Sequence, residues 1–443
     1  MASKTIINAK RDRTEGTFTK IVLRRFKSFA FQSVPVAPIT ILVGPNNSGK
    51  SAVLSSLRIL QQTLQGVDPS VPLALGEFGT YKDIVHGNKQ TDSVGFTIGG
   101  RYGGKDHSFE VNFAHRAQRR QVVQKDFKLF DEPSAPLLQT KYSTDKEHQI
   151  LQPIGKLTAN QASKLKLSFF HFTPQLNLLH LKLLEHQIEK GEAARLHDAD
   201  VALATQVRNL MGLQYLGPNR DAPLRVFSFS GERPSILSPT GGGATDILVA
   251  DYVRRGTGKR KLAQSVENWL AQAKIANQLR IDSISDRHYE IKFQHPVTGE
   301  FENYADVGFG ISQILPVIVA GYNLAPGSLL IVEQPEIHLH PSAQSELGDF
   351  LLHLYERGVQ TIVETHSEHL ILRLQRYVGL GKIPPEDVAI NYVYASEGEK
   401  VITRLKMNED GIFTDTWPQG FFEKRLDEAL ELARAPLKRM GKL

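Results

Sequence analysis

The stretch GPNNSGKS, residues 44–51, constrains this chain more than any other feature. It satisfies the spacing G-x-x-x-x-G-K-[ST], and it stands between the apolar run TILV (40–43) and the helix-periodic run KSAVLSSLRILQQTL (50–64). A strand that ends, curls and restarts as a helix aims backbone N–H groups and a positive helix dipole at one point. Gly44 and Gly49 permit the curl, and Asn46, Asn47 and Ser48 lie in the loop between them. Lys50 is placed to reach β- and γ-phosphates, and the Ser51 hydroxyl can ligate Mg²⁺. A Gly-rich turn that only caps a helix is the competing reading. The loop reads as a site for ATP and Mg²⁺.

Such a loop needs a second, metal-side carboxylate, and LLIVEQPEIHLHP (329–341) supplies one. Its opening apolar residues read as a buried strand, and Glu333 stands where that strand stops. An acid there is costly unless it has a task, and Glu333 is placed to hold Mg²⁺ directly or through water. Gln334 follows, then Pro335 and Glu336. A Gln cannot take a proton, but it can orient water, and it removes repulsion against a γ-phosphate. Glu336 is the alternative base, or a cap for the next turn. A second apolar run, QTIVET (360–365), leads to His366, which can hydrogen-bond a γ-phosphate or its attacking water. His338, His340, His366 and His369 also show H-x-H and H-x-x-H spacings that zinc could use. A nucleotide site already accounts for one of the four, and His338 and His340 read better as a turn at a subunit contact.

At 443 residues the chain has room for two or three domains. No apolar run reaches the roughly 18 residues of a membrane span. The N-terminal stretch MASKTIINAKRDRTEG lacks the apolar centre of a secretory signal. Cysteine is absent, which excludes disulfides and thiolate chemistry and fits a cytoplasmic protein. The net charge is +6, and the positive charge clusters in HRAQRR (115–120) and RRGTGKRK (254–261). The second cluster, Arg254–Lys261, lies between two helix-like runs, so it is a candidate loop contact for DNA phosphates, with a solvated loop as the alternative.

Neither an internal repeat nor a sustained heptad pattern is present. Residues 80–175 alternate strand-like pieces with polar loops, LNLLHLKLLEHQIEKGEAARL (176–196) reads as an amphipathic helix, and VENWLAQAKIA (266–276) as another. RIDSISD and YEIKFQ, within 280–294, read as strands. From 305 onward helix and strand alternate, which predicts an α/β fold. Its sheet is mostly parallel with helices on both faces, accompanied by an antiparallel β subdomain and a helical insertion. The expected division is 1–100 for the first half of the nucleotide domain, 101–300 for an inserted β/helical lobe, 301–385 for the second half, and 386–443 for a small C-terminal domain.

These pieces in this order resemble the ABC-type ATPases of the SMC, RecF and OLD (overcoming lysogenization defect) group. The resemblance rests on RRFKSF before ITILVGPNNSGKS, on DVGFGISQILPV (306–317), on LLIVEQPEIHLHP and on TIVETHSEHL. It implies a P-loop fold of ABC type and an ATP-dependent sandwich of two copies of the chain. DVGFGISQ matches the signature segment that faces ATP bound by another subunit, so the resemblance implies nucleotide contacts for Gly310, Ser312 and Gln313. Gly310 falls where the family's signature serine usually lies, and Ser312 comes two residues later. HLHP (338–341) matches the segment crossing the dimer interface, and His366 the switch histidine. Gln334 stands where the family normally has a catalytic glutamate, which predicts slow hydrolysis. With KMNEDGIFTDTWPQGFFEKRLDEAL (406–430), the chain is similar to ATPase subunits of bacterial anti-phage systems such as Septu and PARIS, which work with a separate nuclease or other effector. The Toprim nuclease domain of OLD proteins has no counterpart in the residues after His366, so no nuclease activity of its own is expected. A RecF-like DNA repair ATPase is the alternative.

Overall fold

The structure, a computed structural model, describes residues 16–131, 135–142, 148–151, 166–175, 190–253 and 260–417. Three expectations fall largely outside those residues: most of the 176–196 helix, Arg254–Lys259 of the basic loop, and the chain beyond Trp417.

The run ITILV has no polar break, and a run of that kind belongs in a sheet covered on both faces. It becomes β1 (Ile39–Val43) of a six-stranded central sheet. The others are β2 (Gln214–Leu216), β3 (Leu329–Glu333), β4 (Gln360–Glu364), β5 (Val388–Ser396) and β6 (Glu399–Leu405), in the spatial order β2-β3-β4-β1-β5-β6. Every neighbouring pair is parallel except the closing hairpin β5–β6. All residues of β1, β3 and β4 are buried. Successive side chains of a strand point to opposite faces, and they divide here between two cores. Ile41, Leu330, Val332 and Val363 join one core, and Leu42, Leu329, Ile331 and Ile362 the other.

The first core is closed by helices α2 (Phe309–Asn323), α3 (Pro341–Glu356) and α4 (Glu368–Gly379). The second is closed by α1 (Lys50–Leu64), the helix Lys190–Met211 and an eight-stranded antiparallel sheet that begins with Phe18–Phe26. α1 is buried through Ala52, Val53, Leu57, Leu60 and Leu64, the three- and four-residue spacing visible in the sequence.

Some expected bounds shift. The helix expected at 266–276 runs from Lys261 to Gln272. Lys274 adopts a left-handed φ of 56°, and the Ile275 and Ala276 N–H groups both return to the Leu270 carbonyl, ending the helix early. RIDSISD and YEIKFQ pair antiparallel as Leu279–Ser283 and His288–Gln294. β2 comes from within 101–300 and β5–β6 from within 386–443, yet all three complete the central sheet.

Candidate functional site

Strand-end chemistry gathers along one edge of the sheet, because parallel strands all finish on the same side. β1 ends at Gly44, whose φ of 145° is open to glycine. A Cβ on Gly44 would stand 2.0 Å from the Val393 carbonyl oxygen of β5, so only glycine lets the loop lie against that strand. The Lys400 ammonium, on β6, donates to the Asn47 carbonyl and ties the hairpin to the loop. Asn46 and Asn47 are exposed, whereas Ser48 is buried with its hydroxyl unpartnered. Gly49, at φ 112°, starts α1.

Lys50 is folded back, and its ammonium donates to the Gly44 carbonyl at 3.0 Å and the Pro45 carbonyl at 2.9 Å. It lies 3.8 Å from the carboxylate of Glu364, the last residue of β4. The Ser51 hydroxyl donates to the same carboxylate at 3.2 Å. Sequence reasoning missed Glu364, although the signal was the one used for Glu333, an acid closing a buried apolar strand. β3 and β4 are paired in a register that sets Glu333 beside Glu364. Burial first, then the charge of Glu333, pushes Glu364 up to about 7, against the opposing pull of Lys50. Burial likewise lowers Lys50. Desolvation outweighs mutual attraction for both partners, so their pairing is electrostatically incomplete.

Glu333 is held by the Tyr215 hydroxyl of β2, which donates to it at 2.6 Å. Burial and that carboxylate raise Tyr215, keeping it a donor. Arg58 of α1 lies 3.8 Å over the Tyr215 ring. Arg220, just beyond β2, donates to the Glu333 carbonyl at 3.2 Å while its Nε is buried without a partner. Burial lowers Arg220 to about 10 despite the nearby Glu333 and Glu336. Tyr215 and Arg220 carried no motif that a sequence reading could use.

Gln334 turns the chain out of β3 with a left-handed φ of 46°, and its N–H donates to the Glu364 carbonyl at 2.7 Å. One oxygen of Glu336 accepts from the His366 N–H at 2.7 Å, and the other is buried and unpartnered. Its side chain thereby braces the turn after β4. Burial raises Glu336. His366 is lowered by burial and then by Lys50, and its Nε2 is buried without a partner. Lys50, Ser51, Glu333, Gln334, Glu336 and His366 thus share one edge with the unforeseen Glu364, Tyr215 and Arg220.

The signature segment is elsewhere. α2 starts at Phe309, and a Cβ on Gly310 would meet the His338 carbonyl at 3.2 Å. Phe309 is 73% exposed, and its ring centre lies 5.7 Å from that of His338. Ser312 is buried, its hydroxyl donating to the Phe309 carbonyl at 2.9 Å, so that hydroxyl faces inward. Gln313 is half-buried. Of the remaining histidines, His340 caps α3 by accepting from the Ser342 N–H. Among the described residues no cluster of three or more His, Asp or Glu side chains is arranged to hold a metal.

A phosphate loop, a strand-end acid one strand removed and a histidine at the intervening strand end define a P-loop nucleotide-binding fold. Residues 39–186 and 216–373 match the family described as "AAA domain, putative AbiEii toxin, Type IV TA system", and the chain belongs to that family. Residues 383–432 match a second family, described as a protein of unknown function (DUF3696). No curated protein matches the chain. Similar solved structures include an Smc head bound to the C-terminal winged-helix domain of ScpA, at 10% identity and TM-score 0.47, covering 88% of this chain and 98% of that one. The SMC head domain of Thermotoga maritima matches at 11% identity and TM-score 0.42, covering 88% and 99%. An Smc head of Pyrococcus furiosus with an extended coiled coil, bound to the C-terminal domain of ScpA, matches at 9% and 0.44, covering 94% and 99%. Among the described residues no helix is long and apolar enough to cross a membrane.

Proposed function

We propose that the chain is a slow ATPase whose ATP-bound form pairs two copies and serves as a nucleotide-controlled sensor or scaffold in a bacterial anti-phage complex, acting on a separate nuclease or other effector. The observation that carries the ATPase reading is the meeting of Lys50 and Ser51 with a strand-end carboxylate, at 3.8 and 3.2 Å. The oxygen set of Ser51, Glu364 and Glu333 suits a hard divalent cation, so these residues would hold Mg²⁺, whose role is to neutralise phosphate charge. The N–H groups of residues 44–51 and Lys50 would bind the phosphates, with Asn46, Asn47 and Ser48 shaping the loop.

Gln334 would orient the attacking water without accepting its proton. Glu336, with one oxygen fixed by the His366 N–H and the other unpartnered, is the alternative acceptor for that proton. His366 would contribute its Nε2 to the same water or phosphate. The exposed start of α2, with Phe309 beside His338, supports pairing with a second copy through Gly310 and Gln313. The inward hydroxyl of Ser312 leaves backbone N–H groups as the contact there.

Membership of the family described as "AAA domain, putative AbiEii toxin, Type IV TA system" supports a role beside a second component over repair. Lys50→Ala tests the core of the reading, since binding of labelled ATP should disappear, and unchanged affinity would refute the assignment. The DNA-binding alternative rests on the basic residues Arg254–Lys261. Alanine at Arg254, Arg255, Lys259, Arg260 and Lys261 should then flatten a log K against log salt slope near −4 to −5 for duplex DNA.

A further inference from the structure

A cavity of about 440 Å³ opens in the antiparallel sheet, well within the roughly 300–1,000 Å³ of small-molecule sites. It shares no residue with the phosphate-loop site. Gln124, Tyr142, His148, Phe169 and His171 line it, together with the loop Pro69–Leu73. The strand Gln121–Asp131 carries a bulge here, where Asn112 pairs with Asp126 but Phe113 with Gln124. A bulge breaks strict alternation and can re-aim a side chain, and the consecutive residues Val123 and Gln124 are both buried.

Gln124 is 3% exposed, and neither its Nε2 nor its Oε1 has a hydrogen-bond partner. A buried amide with both atoms unanswered is costly, and Gln124, a residue of the cavity wall, carries a donor beside an acceptor. The walls are aromatic. The His148 ring lies 4.2 Å from Phe169 and 5.7 Å from Tyr142, and His148 contacts the Thr140 hydroxyl at 3.1 Å. Burial lowers His148 to about 4, so the wall is uncharged near neutrality. His171 spends its Nδ1 on the Val71 carbonyl at 3.1 Å.

Positive charge begins at the rim. The Arg116 guanidinium lies 4.7 Å over the Tyr142 ring, and Arg120 is exposed next to the lining strand. Both belong to HRAQRR, the basic cluster that the ATPase site leaves unused. We infer that the cavity is a second nucleotide site, in which Gln124 reads the donor–acceptor edge of an adenine base between Phe169 and Tyr142 while Arg116 and Arg120 meet its phosphate. Paired amide contacts to adenine and aromatic stacking of bases are both general modes of nucleic-acid recognition. The base arrives either on a free nucleotide or on a single strand.

The test uses the full chain carrying Lys50→Ala, so that the phosphate loop is silent. Binding of labelled oligo-dA, with oligo-dT as control and AMP as competitor, is followed by anisotropy. Gln124→Leu keeps the volume and removes both bonding atoms, so oligo-dA affinity should fall at least tenfold, with oligo-dT little changed. Arg116→Gln, on the rim, should weaken both strands and reduce the salt slope by about 0.7 for each phosphate no longer neutralised. Displacement by AMP alone identifies a free nucleotide as the source, whereas strand binding that AMP cannot displace identifies single-stranded nucleic acid. Absence of binding by oligo-dA and AMP alike overturns the inference. So does a Gln124→Leu protein that folds and binds as the parent does. Should Gln124→Leu fail to fold, an Arg116→Gln variant with unaltered affinity and salt slope overturns it.

Discussion

The Glu364 carboxylate accepts a hydrogen bond from the Ser51 hydroxyl at 3.2 Å while lying 3.8 Å from the Lys50 ammonium. One strand-end acid thus engages both side chains that the phosphate loop would offer a ligand.

Because burial lifts Glu364 from 4.5 to about 7, its protonated form favours the fold of the ligand-free chain. That contribution is fully present below the unfolded value and is lost as pH rises through about 7. Glu364→Gln should therefore flatten the fall of melting temperature between about pH 5 and 8, with a gain at the alkaline end of at most about 3 kcal/mol. Parallel melting curves for parent and variant across that range would contradict this.

Gly44→Ala should displace the phosphate loop from β5, because the new Cβ would meet the Val393 carbonyl at 2.0 Å. A loss of at least about 2 kcal/mol in denaturant unfolding, with weaker ATP binding, is expected. Gly103 also has a positive φ, 58°, but open space around its Cβ position, so Gly103→Ala should cost only about 1 kcal/mol. Equal costs for the two would show that the contact with β5 is unimportant.

Gln334→Glu should speed hydrolysis by up to roughly 10²–10⁴-fold, the usual worth of positioned proton transfer, and shorten the life of the paired ATP-bound form. An unchanged single-turnover rate would leave the proton with Glu336 or His366. Glu336→Gln then separates these: it should lower the rate at least tenfold with ATP affinity preserved if Glu336 is the acceptor.

Tyr215→Phe removes the 2.6 Å donor from a buried carboxylate, and should cost about 1.5–3 kcal/mol in thermal unfolding. The ring remains for Arg58 to stack on, so a melting temperature equal to that of the parent would mean Glu333 finds another donor.

Local chemistry made much of this site legible from the chain alone. A buried strand, two glycines and an amphipathic helix between Ile39 and Leu64 specify the loop of residues 44–51, and α1 spans Lys50–Leu64 as the periodicity predicts. Glu333, Gln334, Glu336 and His366 could be picked out because each lies at the end of an apolar strand or shortly after it. What the tertiary structure alone decided depends on long-range pairing. The β3–β4 register sets Glu333 beside Glu364, across 31 positions of sequence, and β2 brings Tyr215 to Glu333 across 118. The hairpin β5–β6, which reads as part of a separate C-terminal unit, instead extends the central sheet and packs Val393 against Gly44. Ser312 shows the same limit, since its sequence position points to a ligand while its helical hydroxyl bonds the Phe309 carbonyl three residues back. Spacing along the chain fixes what neighbours can do together; strand register fixes which distant side chains become neighbours, and where every residue of a strand is buried no period in the sequence reports that register.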